Sequence, residues 1–234
     1  MNEDRIAVVM CTWSRIHERL PATLNMLIDQ DDMSYDLFIW NNNISLSNDL
    51  HAICDKYDDI NITIYDSSRN IGGIGRFKMA RKISGQYEYV LFIDDDINFS
   101  SSTISVVKDN REKNVIKSWW AWEIFGDNYW NRKRIVQTGR PASYCGTAMM
   151  VCETKVFNDN RIFKLIPEEY SFIEDLWLTY FCKNMLSMKC EYLPTDCSLV
   201  IDGKDQCLNS SLASPDKKRQ FYRYLLNNIE GKNA

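Results

Sequence analysis

Three consecutive carboxylates, Asp94-Asp95-Asp96, stand on the end of the apolar run Tyr89-Val90-Leu91-Phe92-Ile93. A run of that length, rich in β-branched and aromatic residues, reads as a strand buried on both faces, as central strands of parallel α/β sheets are. Ligands of open α/β sheets sit beyond the carboxyl ends of the strands, so these acids fall where chemistry is expected. If the chain stays extended, Asp94 and Asp96 point to one side and Asp95 to the other. Two oxygen donors on one side suit a hard divalent cation, Mg²⁺ or Mn²⁺. A second acidic pair, Glu174-Asp175, opens a segment whose Trp177, Leu178, Phe181, Cys182 and Met185 repeat at helical spacing. Ser171 and Glu174 have the Ser-x-x-Glu form of a capping box.

Around these acids lie segments suited to an anionic ligand. Asn70-Ile71-Gly72-Gly73-Ile74-Gly75-Arg76 combines glycines that allow close backbone approach with an arginine able to meet a phosphate. It fits neither the Gly-x-Gly-x-x-Gly pattern nor a phosphate-binding P-loop. Cys11-Thr12-Trp13-Ser14-Arg15 and Trp40-Asn41-Asn42-Asn43 end two further strand-like runs. Four of the seven tryptophans fall within Trp119-Trp120-Ala121-Trp122 and Trp130. Flat aromatic faces there suit either the apolar faces of sugar rings or the packing of a strand. Alternation sets Trp120 and Trp122 opposite Trp119.

The elements that must position these residues alternate. Strands are expected at Ile6–Met10, Asp36–Trp40, Asn61–Tyr65 and up to the aspartates. Between them come helices starting near Pro21, carrying Leu50, Ile53, Cys54 and Tyr57, and spanning Phe77–Ile83. This order predicts a parallel sheet with right-handed crossovers. Beyond Asp96 come a helix near Thr103–Asp109, strand-like runs in Val115–Phe125 and Ile135–Val151 about a turn at Gly126-Asp127-Asn128, and a mixed sheet. The helix at Glu174 follows, and a last one runs from Ser214-Pro215-Asp216 to about Asn228.

Length and composition set the class. The 234 residues are 45% hydrophobic and 26% charged, with a net charge of −4, as in a globular protein of one domain. That balance argues against a nucleic-acid partner, and no stretch is long and apolar enough to span a membrane. The eight cysteines form no Cys-x-x-Cys pair and the histidines number two, so zinc and a histidine triad are not expected. The acidic start Met1-Asn2-Glu3-Asp4-Arg5 gives no secretory signal, and reduced thiols in the cytoplasm are the expectation. The basic runs Arg132-Lys133-Arg134 and Lys217-Lys218-Arg219 read as solvated faces, or as a contact with charged lipid or an anionic acceptor. No pattern addresses the oligomeric state.

In their order, Thr12-Trp13-Ser14-Arg15, Leu20-Pro21-Ala22-Thr23-Leu24 with Gln30, Trp40-Asn41-Asn42, Asn70-Ile71-Gly72-Gly73, Asp94-Asp95-Asp96, Gly146-Thr147 and Glu174-Asp175 resemble the nucleotide-sugar glycosyltransferases of the GT-A fold, family-2-like type. The resemblance covers about Ile6 to Met188. It implies one α/β domain with a Rossmann-like, mostly parallel central sheet flanked by helices and a mixed C-terminal half, residues 1–98 binding the nucleotide sugar and 99–234 the acceptor. It further implies a UDP or GDP sugar as donor, a glycan acceptor and Mn²⁺ or Mg²⁺. Asp94 would contact the ribose, with Asp95 beside it, and Asp96 would hold the metal together with Asp94. Thr12, Arg15, Asn70 and Gly73 would line the nucleotide, Arg76 the diphosphate. Asn41 stands where the family has an aspartate reading the base. Asp175 would be the base of an inverting transfer, with Trp119, Trp122 and Glu174 toward the acceptor and Asp202 in place of a C-terminal metal ligand. Two other readings compete: a sugar- or nucleotide-binding module without turnover, and a phosphatase of the haloacid dehalogenase type. The latter also carries Asp-x-Asp after an apolar strand, but on its first strand and without an Asn98.

Overall fold

The computed structural model describes residues 4–200 and 215–230. Seven strands form the central sheet: β1 (Ile6–Thr12), β2 (Tyr35–Asn41), β3 (Ile62–Asp66), β4 (Tyr89–Phe92), β6 (Val115–Ser118), β10 (Met150–Glu153) and β11 (Lys189–Tyr192). Their order is β11-β6-β10-β4-β1-β2-β3. β1 to β4 are mutually parallel, whereas β10 runs antiparallel between β4 and β6. The expected change from a parallel to a mixed sheet is therefore present.

Alternation along β1 explains the layers. Ala7 and Val9 face a core with Phe77, Met79, Ala80 and Ile83 of α3 (Ile74–Ile83) and with Trp177, Leu178 and Phe181 of α6 (Glu174–Met185). Ile6, Val8 and Met10 face α1 (Leu20–Ile28), α2 (Ser47–Cys54) and α4 (Thr103–Asn110). Both faces are thus covered, which is why these strands read as continuous apolar runs. Each fully buried Leu, Ile or Phe contributes about 1.5–3 kcal/mol. Gln30, just past α1, ties the layers at one corner by donating to Met26 and Ser100 oxygens at 2.8 and 2.9 Å and accepting from Ile104 N at 2.9 Å.

Two small sheets complete the fold. β5 (Ile97–Phe99) pairs with β12 (Cys197–Leu199), and β7 (Ala121–Ile124) lies between β8 (Arg132–Arg134) and β9 (Tyr144–Cys145). The segment 115–125 is therefore two strands in two sheets, broken by a bend at Trp119-Trp120. Of 135–151, only Tyr144–Cys145 and the last two residues are strand. A short helix α5 (Arg161–Lys164) precedes α6, and α7 (Pro215–Glu230) packs Phe221 and Leu225 into the core.

Candidate active site

Register sets the rim. The pairing aligns Thr12 with Asn41 and Asn41 with Asp66, so the carboxyl ends of β1, β2 and β3 present these side chains in a row. Asn41 is fully buried, its amide donating to Asp66 Oδ1 at 2.7 Å and its oxygen accepting from Asn43 N at 2.9 Å. Asp66 also accepts from Ser47 Oγ at 2.7 Å. Burial would raise its pKa, but these bonds and His51 hold it below the usual carboxylate value. The Thr12 hydroxyl is buried without a partner.

The glycine segment is shaped by close packing. Asn70 Oδ1 accepts from Gly72 N at 2.8 Å, and Asn42 reaches across from β2, accepting from Ile71 N at 3.1 Å and donating to Gly72 O at 3.0 Å. Gly72 has φ +63°, a conformation glycine adopts without strain. A Cβ on Gly73 would lie 1.6 Å from Glu174 Oε1, and one on Gly75 would lie 2.3 Å from the Trp40 indole. These glycines make room for side chains of this chain.

The acids do not alternate as an extended strand would have them. β4 stops at Phe92 and the chain turns at Asp95-Asp96. Asp95 and Asp96 consequently share one cation: Arg15 bonds Asp95 closely and lies 3.8 Å from Asp96. Asp94 goes to Arg76, 2.8 Å away. Burial, with the charges of Asp96 and Asp94 adding to it, pushes the Asp95 carboxyl up to about 7 against the pull of Arg15. Burial and the Asp94 charge likewise raise Asp96.

Arg76 joins this cluster to α6. It is buried, and its Nε lies 3.8 Å from Glu174 Oε1. Burial alone would lower its pKa, but Asp94, Cys11 and Glu174 outweigh it and keep the guanidinium charged. Its Nε and Nη1 make no well-directed hydrogen bond. The capping box is absent: Ile173 is the residue before α6, with no side-chain cap. Glu174 instead turns into the space above Gly73 toward Arg76, where an ion pair replaces the cap. Burial, opposed by Arg76, brings its carboxyl up to about 7. Asp175 Oδ1 accepts from Leu176 N at 2.7 Å, and Oδ2 accepts a close bond from the Tyr144 hydroxyl.

The tryptophans form a stack with arginines. Alternation along β8 turns Arg132 and Arg134 to one face and leaves Lys133 exposed, so the expected solvated basic run is corrected. The Arg134 guanidinium lies 4.6, 4.2 and 5.5 Å from the rings of Trp119, Trp120 and Trp122. Arg132 lies 4.4, 4.5 and 4.9 Å from those of Trp122, Tyr129 and Trp130. Trp119 packs on the core of one sheet face, Trp120 and Trp122 on that of the other, as alternation requires.

The residues 7–178 match the model of glycosyl transferase family 2. The chain belongs to glycosyltransferase family 2. Its fold is that of GT-A structures. A mannosyltransferase from Pyrobaculum calidifontis in complex with GDP-Man and Mn²⁺ has 12% identity and a TM-score of 0.61, over 96% of this chain and 70% of that one. GalNAc-T7 with UDP, GalNAc and Mn²⁺ has 11% identity and a TM-score of 0.63, over 86% and 44%. TarS of S. aureus in complex with UDP-GlcNAc has 18% identity and a TM-score of 0.56, over 81% and 56%. The TarS structures are thus longer than the part this chain spans, which is 35–58% of their length. No curated protein sequence matches.

Within this family 2 chain, the structure brings Asp94, Asp95, Asp96, Arg15, Arg76 and Glu174 into one ion-paired cluster. Asp175 adjoins it through Glu174, and Thr12 and Asn41 lie on the same strand ends. Trp119 and Trp122 belong to the neighbouring arginine stack. Asp202 lies outside the described residues. Sequence reasoning missed Tyr144 and Asp66, and it named Asn42 without giving it a role. Asp66 carried a signal, an acid at the tip of a strand like the others; Tyr144 carried none. Among the described residues no group of three or more His, Cys, Asp or Glu side chains is arranged to hold a metal. The crowded Asp94 and Asp96 still offer two carboxylates, which with substrate oxygens and water is how Mg²⁺-type sites are commonly completed. No helix of the described residues is long and apolar enough to cross a membrane.

Proposed function

We propose that this protein transfers a sugar from a nucleoside diphosphate sugar, a UDP or GDP sugar, to a hydroxyl of a glycan acceptor with inversion. The observation that carries this reading is the bridge made by Arg76. One buried guanidinium touches Asp94 at the tip of β4 and Glu174 at the start of α6, so both acidic motifs converge on one point. A module that only bound a sugar would have no need of Asp175 beside them, and a phosphatase nucleophile would not stand on the fourth strand.

In this reading the nucleoside lies over the ends of β1 to β4. Thr12 offers its unpartnered hydroxyl, Asp94 meets the ribose, and Asp66, held by Asn41, faces the base. Arg15 and Arg76 turn from their carboxylates toward the diphosphate. Asn70 and Gly73 act through the loop they shape, and Glu174 braces Arg76. Asp96 and Asp94 would hold Mn²⁺ or Mg²⁺, and the charge growing on the departing diphosphate would be met there by the Lewis acidity of the ion. Asp175 takes the acceptor proton as the acceptor oxygen bonds the anomeric carbon and the bond to phosphate breaks. The exposed faces of the tryptophan stack, at Trp119, Trp122 and Trp130, receive the acceptor. The described cysteines are all free and mostly buried, which supports a reducing, cytoplasmic setting.

Thermal melting with UDP-GlcNAc, UDP-GalNAc and GDP-mannose, with and without Mn²⁺, tests the proposal. A ligand at 100 times its Kd stabilises the native state by about 2.7 kcal/mol. A metal-dependent rise in Tm with at least one of these sugars is expected. No rise with any of them, alongside hydrolysis of simple phosphate esters, would restore the phosphatase reading.

A further inference from the structure

Asp175 is the group in the site gripped from the opposite side by an element that sequence reasoning did not connect to it. β9 contributes two residues to this grip. Cys145 N donates to Thr179 Oγ1 at 3.1 Å, and the same hydroxyl donates to Cys145 O at 2.9 Å. Thr179 is one helical turn beyond Asp175 on α6, so this reciprocal pair locks β9 alongside the helix. The residue before Cys145 is Tyr144, and the lock places its hydroxyl on Asp175 Oδ2.

Tyr144 is itself held. It is 2% exposed, its ring stands edge-on to Tyr129 with centroids 5.6 Å apart, and the two hydroxyls interact. Arg132 Nη1 donates to the Tyr129 hydroxyl at 2.5 Å while its guanidinium lies against Trp122 and Trp130. A continuous path therefore runs from the exposed tryptophan face through Arg132, Tyr129 and Tyr144 to the carboxylate.

We propose that Tyr144, backed by Tyr129 and Arg132, is a positioning residue for the transfer, fixing the Asp175 carboxylate in one orientation and linking it to the acceptor-facing tryptophans. The inference rests on the reading of Asp175 as the base. With Oδ1 occupied by Leu176 N and Oδ2 by the tyrosine, the carboxylate cannot rotate, and its remaining lone pairs point in set directions. The groups that face it are Tyr144 and Tyr129, Glu174 on its own helix, and Arg132 and Arg76 one contact further away. Removal of the tyrosine hydroxyl leaves Oδ2 without its donor and frees the carboxylate to turn away from the acceptor.

The test is the Asp175 carboxyl resonance at one fixed pH, in protein labelled with ¹³C at aspartate Cγ, the resonance being identified by its loss in Asp175→Asn. Tyr144→Phe keeps the ring and removes the donor. The resonance is expected to be displaced and broadened in Tyr144→Phe, as the carboxylate samples more than one orientation, and to change less in Tyr129→Phe, which leaves the direct bond in place. In parallel, release of nucleoside diphosphate from UDP-GlcNAc and GDP-mannose is followed. In Tyr144→Phe kcat should fall about tenfold, 1.36 kcal/mol in the barrier, with KM for the donor unchanged. An unchanged resonance in a folded Tyr144→Phe would overturn the proposal. A changed resonance with full turnover in Asp175→Asn would instead overturn the reading of Asp175 as base.

Discussion

The parallel part of the large sheet and the small antiparallel sheet use arginine in opposite ways. At the ends of β1 and β4, Arg15 and Arg76 are set against carboxylates. In the β7, β8 and β9 sheet, Arg132 and Arg134 are set against aromatic faces. A guanidinium paired with crowded acids can exchange partners when a diphosphate arrives, because the incoming oxygens replace those it leaves. A guanidinium sandwiched between indoles has no anion to exchange and stiffens the surface instead. Burial even draws Arg134 down to about 10, although Tyr192 opposes it. In the proposed function the contrast favours the phosphate end of the donor at the first region and a largely uncharged acceptor at the second.

The largest effect that would separate the two regions is expected from Asp175→Asn. Loss of a general base lowers transfer by about 10²–10⁴-fold, while donor binding on the strand ends stays as it was. Turnover by single-time-point product analysis and donor affinity by calorimetry check the two halves of this statement. If affinity fell with turnover, the two regions would not be separable.

Asp96→Ala should do the reverse. Its carboxylate lies at the rim, and its cation contact is Arg15 at 3.8 Å, so the fold should survive. Titration of UDP or GDP in Mn²⁺ should weaken at least tenfold, about 1.4 kcal/mol, and the residual binding should no longer respond to Mn²⁺. An unchanged titration would remove Asp96 from the metal.

A smaller effect falls on the first region alone. Alanine usually improves a helix over glycine by about 1 kcal/mol. At Gly75 in α3 the sign should invert, because a Cβ would meet the Trp40 indole at 2.3 Å and that ring is buried and stacked on Tyr65 at 4.3 Å. Overpacking of this kind costs about 1–3 kcal/mol, and a chain of this size should lose about 2–4 °C in Tm for each of them. A stabilised Gly75→Ala would show that Trp40 moves freely.

The two regions also differed in how far they could be read from the chain. β1, β2 and β4 are covered on both faces, so each left an uninterrupted apolar run, and the acids at the end of β4 marked the rim directly. β8 left only Arg132-Lys133-Arg134, which resembles a solvated face because the aromatic rings that receive two of those cations are supplied by other segments. β6 and β7 read as one stretch since the bend at Trp119-Trp120 has no glycine or proline to announce it. The capping box failed for a similar reason. Glu174 has a local partner available by spacing, but Gly73, a hundred residues away, opens the space that lets it reach Arg76. Tyr144 became functional in appearance only when Thr179 fixed β9 against α6, a contact with no local pattern.

The last predicted effect, read as a slope and not as a loss, sits on the seam between the regions and concerns pH. Glu174 and Asp95 have native-state carboxyls at about 7, against ordinary values of 4.5 and 3.8. In the unfolded chain both release their protons near those ordinary values, so between about pH 4 and 7 the native state binds more protons. Stability then falls as pH rises through that window and levels off above it. Melting of the ligand-free protein should accordingly give a lower Tm at pH 8 than at pH 5. Glu174→Gln should flatten part of the fall from the α6 side, and Asp95→Asn part of it from the β4 side. If either variant alone abolished the whole slope, the two acids would titrate as one unit and the seam would belong to a single site. A Tm that stayed level over the same range would mean that Arg15 and Arg76 hold both groups ionised throughout.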